Sequence, residues 1–269
     1  MRTTPCIVSL VACAIVALAR GGELIPFTLP WDDKAPGITD LSNLNHTPAG
    51  KFGYIEVDEN AHFSAGGERI RFWGVNITAD SCFPTHEEAE AIAGRLAKFG
   101  FNIVRFHHMD NNWGGGSIID YSQGNSRNLH AANLEKLDYF IAQLKAHGIY
   151  SNLNMINSRE FKVADGLDPN VESDLDWKQR HILGFVDPTF RDLEKEYIQK
   201  LLTHRNPYTG LTYSEDPAIA VVEINNENGI FHQYFGGAVE LWPDVYQNQL
   251  QTKWNEWLQN RYASTADML

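Results

Sequence analysis

Cysteine is scarce in this sequence, with 3 residues in 269. Two of them, Cys6 and Cys13, lie in an apolar leading segment, so that Cys82 alone remains if that segment is removed. A single cysteine excludes an internal disulfide, and the stability of the fold must then come from a hydrophobic core. The composition, 43% hydrophobic and 21% charged, is that of an ordinary globular protein.

Positive charge is also in short supply. The chain has 22 lysines and arginines against 34 acidic residues, and its formal net charge is -12. This balance argues against a nucleic acid or an anionic membrane as partner, and it permits a neutral substrate such as a polysaccharide.

The apolar run at the start of the chain is too short to span a bilayer. It predicts a secretory signal over 1–19, in which Arg2 supplies the positive charge, 7–18 form the apolar core and Ala17-Leu18-Ala19 form the cleavage site. We therefore expect a secreted or periplasmic protein that is free of the membrane after cleavage. As an alternative, Leu10-Val11-Ala12-Cys13 resembles a bacterial lipobox, which would make Cys13 a lipidation site.

Strands and helices are predicted to alternate after a lead-in segment at 20–52. A hairpin at 54–65 leads through a Gly66-Gly67 turn into a first barrel strand at 69–75, and further strands follow at 101–106, 149–156 and 218–227. The predicted helices begin at a Thr85–Glu88 capping box, at an Asn133 cap, at Asp187-Pro188 and near Asp244.

This alternation predicts an α/β protein with a parallel sheet and outer helices, of the (β/α)8 TIM barrel type. Each unit takes about 50 residues, so that eight units would need roughly 400 residues from the first strand. We therefore expect an incomplete barrel of about four βα units with a leading β-hairpin, occupying 53–269.

Polar residues close the last of these strands. The run AIAVVEINNEN at 218–228 begins as a buried strand and ends in amides and carboxylates, as expected where a strand opens into a site. A carboxylic acid such as Glu227 can protonate the leaving oxygen of a glycoside, and the neighbouring Asn226 can bind a sugar hydroxyl. Strand alternation puts these two side chains on opposite faces, so both reach one site only if the strand ends or bulges there.

His107-His108-Met109-Asp110 suggests a metal site with His107 and Asp110 as ligands, although adjacent strand histidines point to opposite faces. The alternative is that one histidine lines a sugar site as a hydrogen-bond donor and the other packs behind the strand. Two long connections, at 109–132 and 157–186, carry Trp113 and Trp177, which either stack on sugar rings or pack the loops onto the barrel.

Three motifs together resemble the retaining glycoside hydrolases of clan A, nearest to the cellulase type of family five: GVN at 74–76, NIVRF at 102–106 and EINNEN at 223–228. The resemblance covers about residues 53 to 262. It implies that Glu227 is the general acid/base, that Arg105 ends strand two beside the substrate, and that the nucleophilic glutamate belongs to a seventh strand beyond the four predicted here. Asn228 stands where the family usually has proline.

We therefore expect a glycosidase that cleaves O-glycosidic bonds in a polysaccharide or oligosaccharide. Glu227 is the expected catalytic residue, and no metal or cofactor is expected. The truncated chain itself is expected to be inactive, and to self-associate or pair with a missing C-terminal half. The expected substrate-binding residues are Asn226, Arg105, His107, Trp113 and Asn76.

Two alternatives stay open. One is a noncatalytic carbohydrate-binding half-barrel, and the other is a metal-dependent hydrolase centred on His107 and Asp110.

Overall fold

The structure, a computed structural model, describes residues 30–268. The predicted signal over 1–19 and the lipobox lie outside the described residues. Within 30–268, no helix is both long and apolar enough to cross a membrane.

A four-stranded parallel sheet forms the centre of the fold. Its strands, in spatial order, are β4 (Gly74–Thr78), β5 (Ile103–His107), β8 (Tyr150–Ile156) and β9 (Ile219–Asn225). Three helices connect successive strands or follow them on the outside: α1 (His86–Lys98), α2 (Ala131–Ala146) and α5 (Pro188–Leu202). This arrangement confirms the predicted (β/α)8 barrel type, with four parallel strands in the described part of the chain.

A small antiparallel sheet precedes the barrel strands. It consists of β1 (Ile55–Val57), β2 (Phe63–Ala65) and β3 (Glu68–Arg69). The prediction of one strand over 69–75 was wrong, because Glu68–Arg69 pairs back onto β2 and the first barrel strand begins only at Gly74. A Cβ atom at Gly74 would lie 2.4 Å from the Ile103 side chain, which explains why glycine stands where the two strands first meet.

The caps of the helices follow the sequence signals with one exception. The Thr85–Glu88 capping box starts α1, and Asp187 caps α5 with proline at the first helical position. The predicted Asn133 cap was wrong, since α2 begins at Ala131 and His130 accepts the backbone N–H of Asn133. The Asn133 side chain instead donates to Ser117 O at 2.7 Å and anchors the first long connection.

Both long connections have secondary structure of their own. The first holds the hairpin β6 (Ile119–Asp120) and β7 (Asn128–Leu129), and the second holds the short helices α3 (Val171–Asp174) and α4 (Trp177–His181). After β9 come α6 (Ile230–Phe235), α7 (Asp244–Arg261) and α8 (Thr265–Met268). Short 3-10 helices lie at Ser42–Leu44, Ala79–Cys82, Val163–Asp165, Ile182–Phe185 and Val239–Leu241.

The core has two main parts. One lies between the sheet and its helices and contains Val104, Phe106, Phe140 and Leu153. The other lies under the second long connection, where Phe161, Leu183, Phe190 and Trp242 pack together. This second cluster includes Leu175 and Ile182, which lie on either side of α4 in the chain.

Candidate active site

The register of the parallel sheet brings polar side chains together at one edge. Asn76 on β4 lies opposite Arg105 on β5, which lies opposite Asn152 on β8, and Glu223 on β9 lies opposite Asn154. In a barrel of this type the carboxyl ends of the strands carry the site. The strands β4, β5, β8 and β9 therefore position the Arg105 part of the candidate site.

Arg105 is the centre of this group. Its Nε donates to Glu223 Oε1 at 2.8 Å and its Nη2 donates to Glu223 Oε2 at 2.6 Å, which is the bidentate geometry that orients both groups. The Glu223 hydrogen bonds raise the pKa of Arg105, and the Arg105 hydrogen bonds lower the pKa of Glu223. Asn152 adds a third donor to Glu223 at 2.9 Å. Glu223 is thus held ionised and oriented.

Two further amides are positioned by the same guanidinium. Arg105 Nη1 donates to Asn76 Oδ1 at 3.1 Å, and Arg105 Nη2 donates to Asn226 Oδ1 at 3.0 Å. The Asn226 amide nitrogen donates to Asn157 Oδ1 at 3.2 Å. One N–H of the Asn226 amide is left for a ligand, since an amide nitrogen carries two hydrogens.

Glu227 follows directly in a turn. The strand β9 ends at Asn225, and Glu227 has a φ of +56°, in the left-handed region that residues other than glycine seldom adopt. The strand therefore ends before Asn226 and Glu227, as expected if both side chains are to reach one site. The Glu227 side chain is exposed to solvent.

His107 lies inside the site. Its Nδ1 is 2.9 Å from Arg105 Nη1 and 3.0 Å from Asn154 Nδ2, and it also contacts the Asn157 amide. Because a guanidinium only donates, Nδ1 accepts and Nε2 carries the ring proton. Burial lowers the pKa of His107 to about 4, with the charges of His108 and Arg105 acting in the same direction. The ring is therefore a neutral donor at physiological pH.

The prediction that the second histidine packs behind the strand was wrong. The strand β5 ends at His107, and His108 has a φ of +54°, which turns its ring toward the same side. The two ring centroids lie 4.0 Å apart, and His108 Nδ1 is 2.9 Å from Ser158 Oγ. Burial lowers the pKa of His108 as well.

Asp110 is fully buried and has a structural role. Its Oδ1 accepts the Ser158 N–H at 2.9 Å and its Oδ2 accepts the N–H groups of Asn157 at 2.9 Å and Arg159 at 3.0 Å. These bonds tie the end of β5 to the end of β8. Between residues 30 and 268, no group of three or more His, Cys, Asp or Glu side chains is arranged to hold a metal ion.

The two loop tryptophans differ in their surroundings. Trp113 is 55% exposed and contacts the His108 ring edge-to-face at 5.3 Å, so its indole is accessible beside the site. Trp177 is half-buried and packs against His181 at 5.7 Å. Trp177 therefore follows the loop-packing alternative, whereas Trp113 is free to contact a ligand.

Sequence reasoning missed two residues that contact the site. Asn157 is buried and bridges His107 and Asn226, and Lys178 on α4 donates to Asn226 O at 3.0 Å. Burial lowers the pKa of Lys178. The negative charges of Glu227 and Asp110 act in the opposite direction but do not cancel the effect of burial. The Asp176–Gln179 capping box could have located α4, but no local signal indicates that this helix returns to the strand ends.

Several known proteins resemble the chain over part of their length, although no family model matches it. A curated relative, mannan endo-1,4-beta-mannosidase 5 of Arabidopsis thaliana, is 24% identical over 220 residues, which are 75% of this chain and 47% of the relative. The endo-1,4-beta-mannanase of Rhizomucor miehei has a solved structure with a TM-score of 0.50 and 20% identity, covering 65% of this chain and 48% of that chain.

A glycoside hydrolase family 5 mannosidase of Rhizomucor miehei, in complex with mannosyl-fructose, also has a TM-score of 0.50, with 16% identity over 70% of this chain and 52% of that chain. The chain spans about half the length of the curated relatives it matches. The structural likeness shows the fold, and the relatives confirm the resemblance to family-five-like glycoside hydrolases of clan A over that part. The curated relative is named for mannan rather than for cellulose.

Proposed function

We propose that this chain carries the acid/base half of an enzyme that hydrolyses O-glycosidic bonds within a β-1,4-linked mannan. The observation that carries the proposal is the Arg105 hydrogen-bond network, which orients Asn226 next to Glu227 at the carboxyl ends of four parallel strands. The mannan named in the curated relatives supports the choice of substrate.

Glu227 has the role of general acid in the first step and of general base in the second. Its carboxyl group would protonate the leaving glycosidic oxygen and then take a proton from the attacking water. The left-handed turn and the exposure of the side chain support this role, because the group must reach a substrate above the strand ends. Asn226 would donate its remaining N–H to a sugar hydroxyl as charge develops.

Neutral His107 and exposed Asn76 would complete the sugar-binding surface. The His107 ring has Nε2–H as its donor because Arg105 occupies Nδ1. Trp113 offers an aromatic face, which is the group that stacks on the apolar face of a pyranose. The net charge of -12 suits a neutral polysaccharide better than an anionic one.

A retaining mechanism requires a second carboxylate about 5–5.5 Å from the first. Glu223 is not suited to that role, because Arg105 and Asn152 already engage both of its oxygens. The nucleophile would therefore come from outside the four described strands.

We also propose that the protein is secreted, which N-terminal sequencing of the exported protein would test.

Affinity electrophoresis of the full chain tests the proposal. We expect gels containing galactomannan to retard the protein more than gels containing hydroxyethylcellulose or soluble starch. Trp113→Ala should remove most of the retardation, whereas Trp73→Ala, which replaces a tryptophan of similar exposure ahead of the first barrel strand, should not. Equal mobility in all gels would contradict the proposal.

A further inference from the structure

The short helix α4 contacts the residue on each side of Glu227. Lys178 Nζ donates to Asn226 O at 3.0 Å, and His181 Nδ1 lies 3.1 Å from Asn228 Oδ1. The chain around Glu227 is therefore held from one helix, which belongs to a different connection of the barrel.

Lys178 also joins the ends of two strands. Its Nζ lies 3.4 Å from Asn157 O, so one ammonium group binds the first carbonyl beyond β8 and the first carbonyl beyond β9. The side chain is half-buried, which is unusual for lysine unless polar partners hold its charged end. A surface lysine without such partners keeps its ammonium group in water.

The backbone of Glu227 needs such support. A φ of +56° is unfavourable for a residue with a Cβ atom, and it persists only where the surroundings fix it. The carbonyl of Asn226 lies in the peptide plane that precedes Glu227. The φ angle of Glu227 describes the rotation about the N–Cα bond that follows this plane. Holding that carbonyl therefore fixes the direction in which the Glu227 side chain leaves the chain.

The far side of the turn packs against a buried histidine. The Nε2 of His181 donates to Arg159 O at 2.7 Å, which fixes the ring, and its Nδ1 lies 3.1 Å from Asn228 Oδ1. Asn228 occupies the position after the carboxylate, where a proline would restrict the backbone by its ring. In this chain the Lys178 hydrogen bond and the packing of His181 restrict the turn instead.

We propose that Lys178 is a positioning residue, which sets the orientation of the Glu227 carboxylate by holding the Asn226 carbonyl, while the buried His181 ring packs against the other side of the turn. The significance of that orientation for catalysis rests on the proposed function. The contacts that set the orientation lie within the described residues, and their effect on the backbone around Glu227 can be measured without any sugar.

Hydrogen–deuterium exchange with mass spectrometry on the full chain tests this inference. In Lys178→Met we expect the peptide covering 222–230 to exchange about tenfold faster, because the turn opens locally. Lys178→Arg, which keeps a cationic hydrogen-bond donor on a long side chain, should retain slow exchange. Lys195→Met, which removes an exposed lysine on α5, should leave this peptide unchanged.

The other outcomes would contradict the inference. Unchanged exchange at 222–230 in Lys178→Met would show that the turn holds itself. Equal acceleration in α1 would indicate general unfolding rather than a positioning role, and Lys178→Gln is measured beside it as a milder variant. If mannan binding fails in the wild type while this local change is found, the proposed function is wrong and the positioning role stands.

Discussion

The guanidinium of Arg105 donates two hydrogen bonds, of 2.8 and 2.6 Å, to the carboxylate of Glu223 across the intervening strand β8. The same guanidinium reaches Asn76, His107 and Asn226, so that one side chain orders groups from three strands. These contacts predict that Arg105 contributes more to the function of the site than to the stability of the fold.

Replacing Arg105 should therefore reduce function more than stability. For Arg105→Ala we expect a loss of about 1–2 kcal/mol in the free energy of unfolding, because the pair is partly exposed. In a preparation that hydrolyses mannan, kcat/KM should fall on the order of 10²-fold as Asn226 loses its orientation. Chemical denaturation and initial rates measure the two effects, and folded protein with full activity would assign Arg105 a purely structural role.

The Arg105–Glu223 pair also predicts a pH dependence. The pKa of Glu223 is lowered in the folded state by its Arg105 hydrogen bonds, so the pair contributes stability above the ordinary glutamate pKa of 4.5. That contribution is lost as pH falls through the lowered folded value. Below pH 4.5, the wild type should lose more stability than Arg105→Met does, as urea unfolding at a series of pH values would reveal.

Glu194 predicts the opposite slope. Burial raises the pKa of this α5 residue to about 7, where its carboxylate packs against Gly184 and its Oε1 has no partner. Folding then favours the protonated acid, so stability is fully present below pH 4.5 and declines as pH rises toward 7. Glu194→Gln should remove most of this decline, which we expect to be on the order of 2 kcal/mol. An unchanged slope in the variant would show that another group is responsible.

Asp110 separates the structural and metal hypotheses. Asp110→Asn places N–H groups opposite backbone donors at the end of β8, and we expect a loss of about 2–4 kcal/mol. Exposed Asp192→Asn serves as the control and should change little. Thermal unfolding with and without a chelator measures both variants. A chelator effect in the wild type that Asp110→Asn abolishes would revive the metal-dependent hydrolase.

The role of Glu227 can be tested through the leaving group. In a preparation with activity, Glu227→Gln should slow the cleavage of mannan far more than that of activated aryl mannosides, which need little protonation. General acid catalysis typically contributes about 10²–10⁴-fold, so the two substrates should differ by a factor in that range. Equal losses on both substrates would remove Glu227 from the acid role.

Local signals predicted much of the fold, because strands, caps and helix ends depend on neighbouring residues. The capping box at Thr85 and the Asp187-Pro188 start are examples. A good capping residue could still mislead: Asn133 was predicted as the cap, yet its side chain donates to Ser117 O and the helix starts earlier, at Ala131.

The supporting residues of the site could not be predicted in the same way. The pairing of Lys178 with Asn226 spans 48 residues and depends on how the second connection packs. The orientation of His108 depends on its positive φ. This position has no glycine or asparagine, the residues whose presence would have predicted such a backbone angle. The residues at the strand ends were found because they follow periodic strands, whereas these contacts arise only from the tertiary packing.

The last prediction concerns the chain by itself, which we expect to be inactive on glycosides and prone to associate. The edge strand β9 leaves Ile224 58% exposed, and α6 leaves Phe231 and Phe235 76% and 83% exposed beside a cleft of about 750 Å³. Open strand edges and large apolar patches favour pairing with another chain. A second catalytic carboxylate could arrive with such a partner.

Sedimentation velocity and a mannan assay on one preparation of residues 20–269 measure both expectations. Phe235→Asp should reduce association, since it places a charge in the exposed patch without touching Arg105 or Glu227. A well-folded monomer with activity that Glu227→Gln abolishes would overturn the prediction. It would mean that a nucleophile lies within this chain, and that the fold around Arg105 is sufficient for the whole reaction.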